Sequence, residues 1–463
     1  MTHRGTGARL LLAGTALLAL LGSGALVSLA IEILEDRQQL DTLRRDDQVQ
    51  FVEEPLFERE GEAWATTPYA RQVCVPGRFA VDKGDRWRLF ALGGSFLMGA
   101  PYAHQDHAQE QPGGMLSFLR AGLAGLAPDA EIEIVNLGAS GQDSHRVLRI
   151  AEQVLPHDPD ALLVATCNNE GTLAPSRLRE LLHQQGGYRL LTKLLADPAG
   201  SEGRGLYTLQ DPDDQALAAQ FRGNLRAIID LSEAQGVPLF LATLPQNLRY
   251  QGLQQGHDRA AGGAHPAGED PCVGPGRSLV QQGRAADALE LLASCDHAAD
   301  ALRWIGLAEL QLGRVEAAEQ HLVQALELAP RNRCRSSFED IIREEAAGRE
   351  LVILVDLQGY AEELSPDGIP GDELFLDYCH MNWQGYGAMA SELARAILAS
   401  GYGPPGIAAD AAWPSHYGLA GQLGLDWNAR VPSAFPGAVE QASPPAPPTQ
   451  APPPPGAPAP NLR

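Results

Sequence analysis

The sequence predicts an α/β protein built on a doubly wound, five-stranded parallel sheet, and three observations carry that expectation. Five short apolar runs recur through the middle of the chain: RLFALGG at 88–94, IEIVNLG at 132–138, ALLVATC at 161–167, PLFLATL at 238–244 and LVILVDL at 351–357. Each is almost continuous in aliphatic and aromatic residues rather than alternating, the pattern of strands buried on both faces. Helical stretches separate them, legible at 115–126, 145–155, 215–235 and 387–400, and strands alternating with helices specify a parallel sheet covered on both sides. Finally, the residues that follow the runs are small or polar: Ser95, Gly138, Asn168 with Asn169, and 245–247. The ligand crevice of such a sheet lies outside the carboxyl ends of its strands, so these residues are the first candidates for a site.

The remaining segments have other origins. Arg4 and Arg9 precede an apolar run over 10–31, after which Glu32, Glu35 and Asp36 appear. A run of about 22 residues matches the roughly 20 needed to cross a bilayer, with the basic end cytoplasmic. Residues 1–34 therefore read as a signal-anchor helix. The small residues Ser28 and Ala30 leave open a cleaved signal peptide, and either reading exports the rest of the chain. Residues 35–85 form a stalk and N-terminal extension, irregular in pattern from about 48. A C-terminal extension over 403–431 lacks periodicity, and 432–463 is a Pro-rich tail that holds much of the chain's 34 prolines and reads as disordered and polyproline-like.

Composition sets limits on function. The formal charge of −23 excludes a general nucleic-acid binder, which needs a basic footprint to neutralise phosphates. Six scattered cysteines without a CxxC pair argue against a zinc ribbon and suit an oxidising compartment. Cys272 and Cys295 bracket a short helical segment and are the first pair to consider for a bridge, with free buried thiols as the alternative.

Residues 251–335 interrupt the α/β pattern with a rhythm of their own. GRAADALELLASC at 283–295 and GRVEAAEQHLVQA at 313–325 align at a spacing of 30. Leu302, Ile305, Gly306, Ala318, Leu322, Ala325 and Pro330 fall where a tetratricopeptide repeat places its packing residues. The segment resembles one such repeat preceded by a degenerate one. Two repeats rarely stand alone, so the insert is expected to pack on the α/β domain, whose two parts are 86–250 and 336–402.

Taken in chain order, the strand ends resemble the four sequence blocks of the SGNH/GDSL hydrolases, in particular their membrane-anchored branch with a tetratricopeptide insert. RLFALGGSFLMG at 88–99 is similar to the block that delivers the nucleophilic serine, here Ser95, with Gly94 in place of the usual Asp. IVNLGASGQDS at 134–144 is similar to the second block, whose glycine, here Gly138, offers a backbone N–H to the oxyanion. TCNNEG at 166–171 resembles the third, which puts Asn169 at the catalytic Asn and Cys167 where a Gly is usual. FLDYCHMNWQGYGAMA at 375–390 resembles the last, with Asp377 and His380 as the DxxH pair and Met381 in place of Pro. The resemblance implies the flavodoxin-like SGNH fold, an extracytoplasmic serine esterase, and no cofactor or metal.

The chemistry requires these residue types. A serine hydroxyl attacks an acyl carbon only when a base takes its proton, the role of His380. Asp377 would fix the imidazole tautomer and stabilise the imidazolium. The N–H groups of Ser95 and Gly138 and the Asn169 amide would hold the oxyanion. The GGSFL segment is not the GxSxG of an α/β-hydrolase elbow. His104 and His107 lie on a Pro/Gln-rich loop without an HExxH helix and read as a polar rim rather than a metal site. The implied substrate is an acyl ester, with acylated carbohydrate or cell-envelope material as the class. An O-acyltransferase using the same site is the near alternative. The alternative from another class is an idle envelope scaffold that binds partners through the insert and the tail.

Overall fold

The structure is a computed structural model and describes residues 55–67, 70, 74–103, 112–171, 173–174, 214–251, 272–295, 299–329 and 333–425. The signal-anchor reading of 1–34, the His104/His107 loop and the Pro-rich tail lie outside these residues. Among the described residues no helix is long and apolar enough to cross a membrane.

A small sheet comes first. Strands β1 (Phe57–Glu60), β2 (Ala63–Thr66) and β3 (Arg78–Ala80) pair antiparallel in the order β1-β2-β3. This stretch reads as irregular in the sequence because the strands are only three or four residues long and carry no sustained alternation. Phe57 and Phe79 from this sheet meet edge-to-face at 4.9 Å between centroids, and Phe79 meets Phe90 of the main sheet at 5.1 Å. The described part of the extension is therefore packed onto the main core, and the stalk expected before it lies outside the described residues.

The main sheet contains β4 (Trp87–Gly93), β5 (Ile132–Gly138), β6 (Ala161–Ala165), β7 (Leu239–Ala242) and β8 (Val352–Val355) in the order β5-β4-β6-β7-β8. All four pairings are parallel, which is the doubly wound arrangement the apolar runs predict. All residues of β4, β6 and β7 are buried, as helices on both faces require. Among the described residues the α-helices, in chain order, are α1 (Ser95–Met98), α2 (Met115–Leu126), α3 (Ser144–Val154), α4 (Asp214–Ala234), α5 (Val273–Gln281), α6 (Ala285–Leu292), α7 (Ala299–Gln311), α8 (Val315–Glu327), α9 (Ser336–Ala346), α10 (Leu357–Leu364), α11 (Trp383–Ser400) and α12 (His416–Gln422). Asp143 caps α3 by accepting from Arg146 N, and Asn382 caps α11 by accepting from Gly385 N, each satisfying an amide that the helix leaves unpaired.

Helices α5 to α8 form two helical hairpins in the 251–335 insert. Gly306 on α7 lets α8 approach: a Cβ there would fall 2.7 Å from Leu322 Cγ and 3.0 Å from the Ala318 carbonyl oxygen. The insert has its own apolar core, which Leu248 and Ile369 of the α/β domain join. Cys272 and Cys295 are bridged across the first hairpin. A second disulfide, Cys167 to Cys334, ties the end of β6 to the segment leaving the insert, a pairing that separation in sequence conceals.

One buried charge locks the base of the sheet. Arg88 on β4 is 1 % exposed; its Nε donates to Glu133 at 2.8 Å, and Nη1 and Nη2 donate to the carbonyls of His157 and Ala80, each at 2.7 Å. It also lies over the Phe79 ring, so one guanidinium joins β4, β5, β3 and the turn before β6.

Candidate active site

Register decides which residues meet. Gly93 at the end of β4 pairs with Gly138 of β5 on one side and Ala165 of β6 on the other, so three strands end at one level. Gly93 has no room for a side chain, because a Cβ would fall 2.2 Å from the Ala165 carbonyl oxygen. The chain then turns through Gly94, which precedes the first turn of α1, and Ser95 opens that helix. Its N–H thus belongs to the amides that a helix N-terminus leaves for an outside acceptor.

The loop between α10 and α11 brings the other half. His380 Nε2 lies 2.8 Å from Ser95 Oγ, and His380 Nδ1 lies 2.7 Å from Asp377 Oδ2. Asp377 Oδ1 accepts two further hydrogen bonds, from the backbone N–H of His380 at 2.6 Å and of Cys379 at 2.9 Å. Burial works against the Asp377 carboxylate, but His380 and these amides overcome it and hold its pKa below the usual value. Asn247 fixes the loop from β7: its N–H donates to the Tyr378 carbonyl at 3.0 Å, and its amide donates to the Asp377 carbonyl at 3.0 Å.

Asn169 reaches the site from the end of β6. Its φ of 71° is left-handed, a conformation Asn tolerates better than most residues. Its Nδ2 donates to the Gln142 carbonyl at 3.3 Å, and lies 3.6 Å from the position a Cβ on Gly94 would take. The amide therefore sits beside the nucleophile. Asn168 has a different task, accepting from Cys334 N at 2.6 Å and from Gln246 Nε2 at 3.2 Å.

Gly138 departs from the sequence-based expectation. Its N–H donates to Asn136 Oδ1 at 3.0 Å, and a Cβ on it would fall 2.5 Å from Met98 N. Its glycine identity is explained by the close approach of α1, and its amide is committed within its own strand. The part of this block that faces Gly94 is the turn at 141–142: the Gln142 carbonyl would lie 3.4 Å from a Gly94 Cβ, and Gly141 has a φ of 71°. The second glycine of NLGASGQDS was the available signal.

Asp377, Cys379 and His380 also form a group of metal-ligand types whose donor atoms lie within 4.8 Å of one another. In this geometry the His380 Nδ1 and the Asp377 carboxylate are engaged with each other, and burial pushes the Cys379 thiol up, away from the thiolate a metal would bind. The arrangement suits proton transfer between Ser95 and His380 better than ion binding.

No family model matches the chain, and no curated protein matches it. Solved structures similar to it include an acetylxylan esterase from Geobacillus stearothermophilus (14% identity, 68% of this chain and 95% of that one, TM-score 0.32). A GDSL-like lipase from Parabacteroides merdae also matches (16%, 69% and 96%, TM-score 0.33). So does a lipolytic protein of the G-D-S-L family from Desulfitobacterium hafniense (12%, 67% and 98%, TM-score 0.28). The likeness is loose at these scores, and function must be read from the residues themselves.

Proposed function

We propose that this chain is an SGNH-type serine esterase that cleaves acyl esters through an acyl-Ser95 intermediate. The observation that carries the reading is the hydrogen-bonded chain Ser95 Oγ, His380 Nε2, His380 Nδ1, Asp377 Oδ2, assembled across 285 residues of sequence. His380 takes the hydroxyl proton as Ser95 Oγ bonds to the acyl carbon, and returns it to the leaving alkoxide. Water then attacks the acyl-enzyme with His380 again as base, releasing the acid and restoring Ser95. The Asn169 amide beside Gly94 and the Ser95 N–H are the donors available to the oxyanion. Asp377 remains ionised throughout and holds the imidazole.

Two disulfides support an extracytoplasmic location, since such bonds persist in oxidising compartments, and the apolar run at 10–31 supports attachment to a membrane. The two helical hairpins support a tetratricopeptide-like module that offers a surface to a protein partner. Acylated carbohydrate of the cell envelope is the substrate class consistent with this placement.

The test is turnover of an aryl acetate together with labelling by a fluorophosphonate. Both should be present in the wild type and lost in Ser95→Ala. Labelling that persists in the variant would refute the assignment of Ser95.

A further inference from the structure

Of the arginines Arg249, Arg303, Arg333 and Arg335, which flank or follow the insert or lie within it, three have carboxylate partners. Arg303 pairs with Asp300 at 2.8 Å, Arg335 with Asp214 at 2.8 Å, and Arg249 with Glu373. Arg333 is the exception. Its side chain is buried, only 6 % of the residue being exposed, and its Nη2 is buried without a hydrogen-bond partner. Among the described residues no carboxylate lies within ion-pairing distance of it.

What holds Arg333 is aromatic. Its Cζ lies 4.8 Å from the centre of the Tyr378 ring and 5.9 Å from that of Tyr250, and the two rings are 6.3 Å apart. Such contacts fix the plane of a guanidinium while leaving its N–H edge to donate. Tyr378 is also the residue between Asp377 and Cys379, and its ring centre is 6.3 Å from that of His380. The cation is thus set on the wall of the catalytic loop.

The charge of Asp377 favours the cation from nearby but makes no ion pair with it. The Asp377 oxygens are occupied by two backbone amides and the His380 ring. Burial and the neighbouring Arg303 push the Arg333 pKa down to about 10, which still leaves it charged near neutrality. Burying a cation without a direct ion-pair partner is costly, and the chain has 58 acidic residues against 35 Lys and Arg, so partners are not scarce. The missing anion is best supplied by what binds at the site.

We propose that Arg333 is a specificity residue that receives a carboxylate on the molecule bearing the ester, so that the preferred substrates are acyl esters of acidic carriers such as uronic-acid sugars. This rests on the esterase reading above, and deepens it. A planar carboxylate fits the free edge of a stacked guanidinium through paired N–H donors.

The test uses matched acetate esters of glucuronic acid and glucose, which differ only in a carboxylate against a hydroxymethyl group. The wild type should favour the glucuronic acid ester in kcat/KM, and Arg333→Gln should reduce that preference roughly 10- to 100-fold, mainly through KM. Arg333→Lys should restore part of it. A parallel fall on both esters, with the preference intact, would assign Arg333 to bracing Tyr378 and overturn the proposal. Calorimetric binding of free glucuronate to the Ser95→Ala protein separates the two readings. Binding that disappears in Ser95→Ala/Arg333→Gln supports the subsite even if no ester is turned over, whereas no binding to Ser95→Ala refutes it even if esterase activity is established.

Discussion

His380 grips Asp377 at two points, with its ring Nδ1 at 2.7 Å from Oδ2 and its backbone N–H at 2.6 Å from Oδ1. The DxxH spacing makes this possible, because three residues of loop fold the backbone of the base onto the carboxylate that orients its ring. The acid is therefore fixed by the same short segment that carries the base.

Asp377→Asn should leave the backbone contact nearly in place while removing the charge and offering the ring the wrong partner. The expected result is a loss in kcat of about 10^4-fold, with the fold retained. Steady-state turnover of an aryl acetate beside a circular dichroism spectrum measures both. Activity within tenfold of wild type would show that another group orients His380.

The pH dependence follows from the same pair. Burial alone would lower the His380 pKa, but Cys379 and Asp377 beside it reverse this and raise it well above 6.5. The buried Cys379 thiol is itself pushed up and stays protonated near neutrality, so the Asp377 carboxylate supplies the charge. Only the neutral imidazole can accept the Ser95 proton, so kcat/KM should fall as pH drops through this raised pKa, placing the acid limb above pH 6.5. Stability runs the other way: the contribution of this raised pKa is complete below pH 6.5 and is lost as pH rises through the folded value. Tm measured across the same window should decline as activity increases, and Asp377→Asn should move the limb to lower pH.

Arg88→Met removes a cation from beneath the sheet and strands its partners. Glu133 and the carbonyls of His157 and Ala80 would lose their donor in a region where Arg88 is 1 % exposed. A cost of about 3–5 kcal/mol is expected from breaking one side of such a buried network, read from urea unfolding midpoints. Adding Glu133→Gln should recover part of it, because the carboxylate left with only the Ala80 N–H at 2.9 Å and Arg86 at 3.8 Å is then gone.

Gly138→Ala tests the packing account of that residue. With Met98 N only 2.5 Å from the added Cβ, α1 and Ser95 at its start must shift. Both stability and kcat should fall, whereas Gly141→Ala, with nothing within 4 Å of its Cβ but a φ of 71°, should strain only the turn beside Gly94.

The main sheet was legible because its strands are buried on both faces and so stand out as unbroken apolar runs; β5 coincides with the run at 132–138. Ser95, Asn169, Asp377 and His380 were legible for a related reason, since each follows a strand or sits in a short motif. What the sequence concealed depends on distance or on single bonds. The antiparallel strands β1 to β3 are too short to show a period. The amide of Gly138 is claimed by Asn136, two residues earlier, which no motif reveals. Arg333 and Cys334 reach the site from the far end of the insertion at 251–335, where only folding shows what they touch.

The disulfide between Cys167 and Cys334 gives that distant segment a measurable role. It closes a sequence separation of 167 residues, and chain entropy alone suggests about 5 kcal/mol of stabilisation, with 2–4 more typical in practice. Cys167 immediately precedes Asn168, which accepts from Cys334 N, and Asn169 beside it lies next to Gly94. Cys167→Ser/Cys334→Ser should therefore lower both Tm and kcat, since the loop carrying Asn169 loses its anchor to the insert. Cys272→Ser/Cys295→Ser is the control: that bridge spans 23 residues within the first helical hairpin, so its loss should lower the stability of the insert with little change in kcat. Thiol reductant applied to each variant separates the two bonds, and equal kcat effects from both pairs would show that the clasp at Asn168 is not what positions the loop.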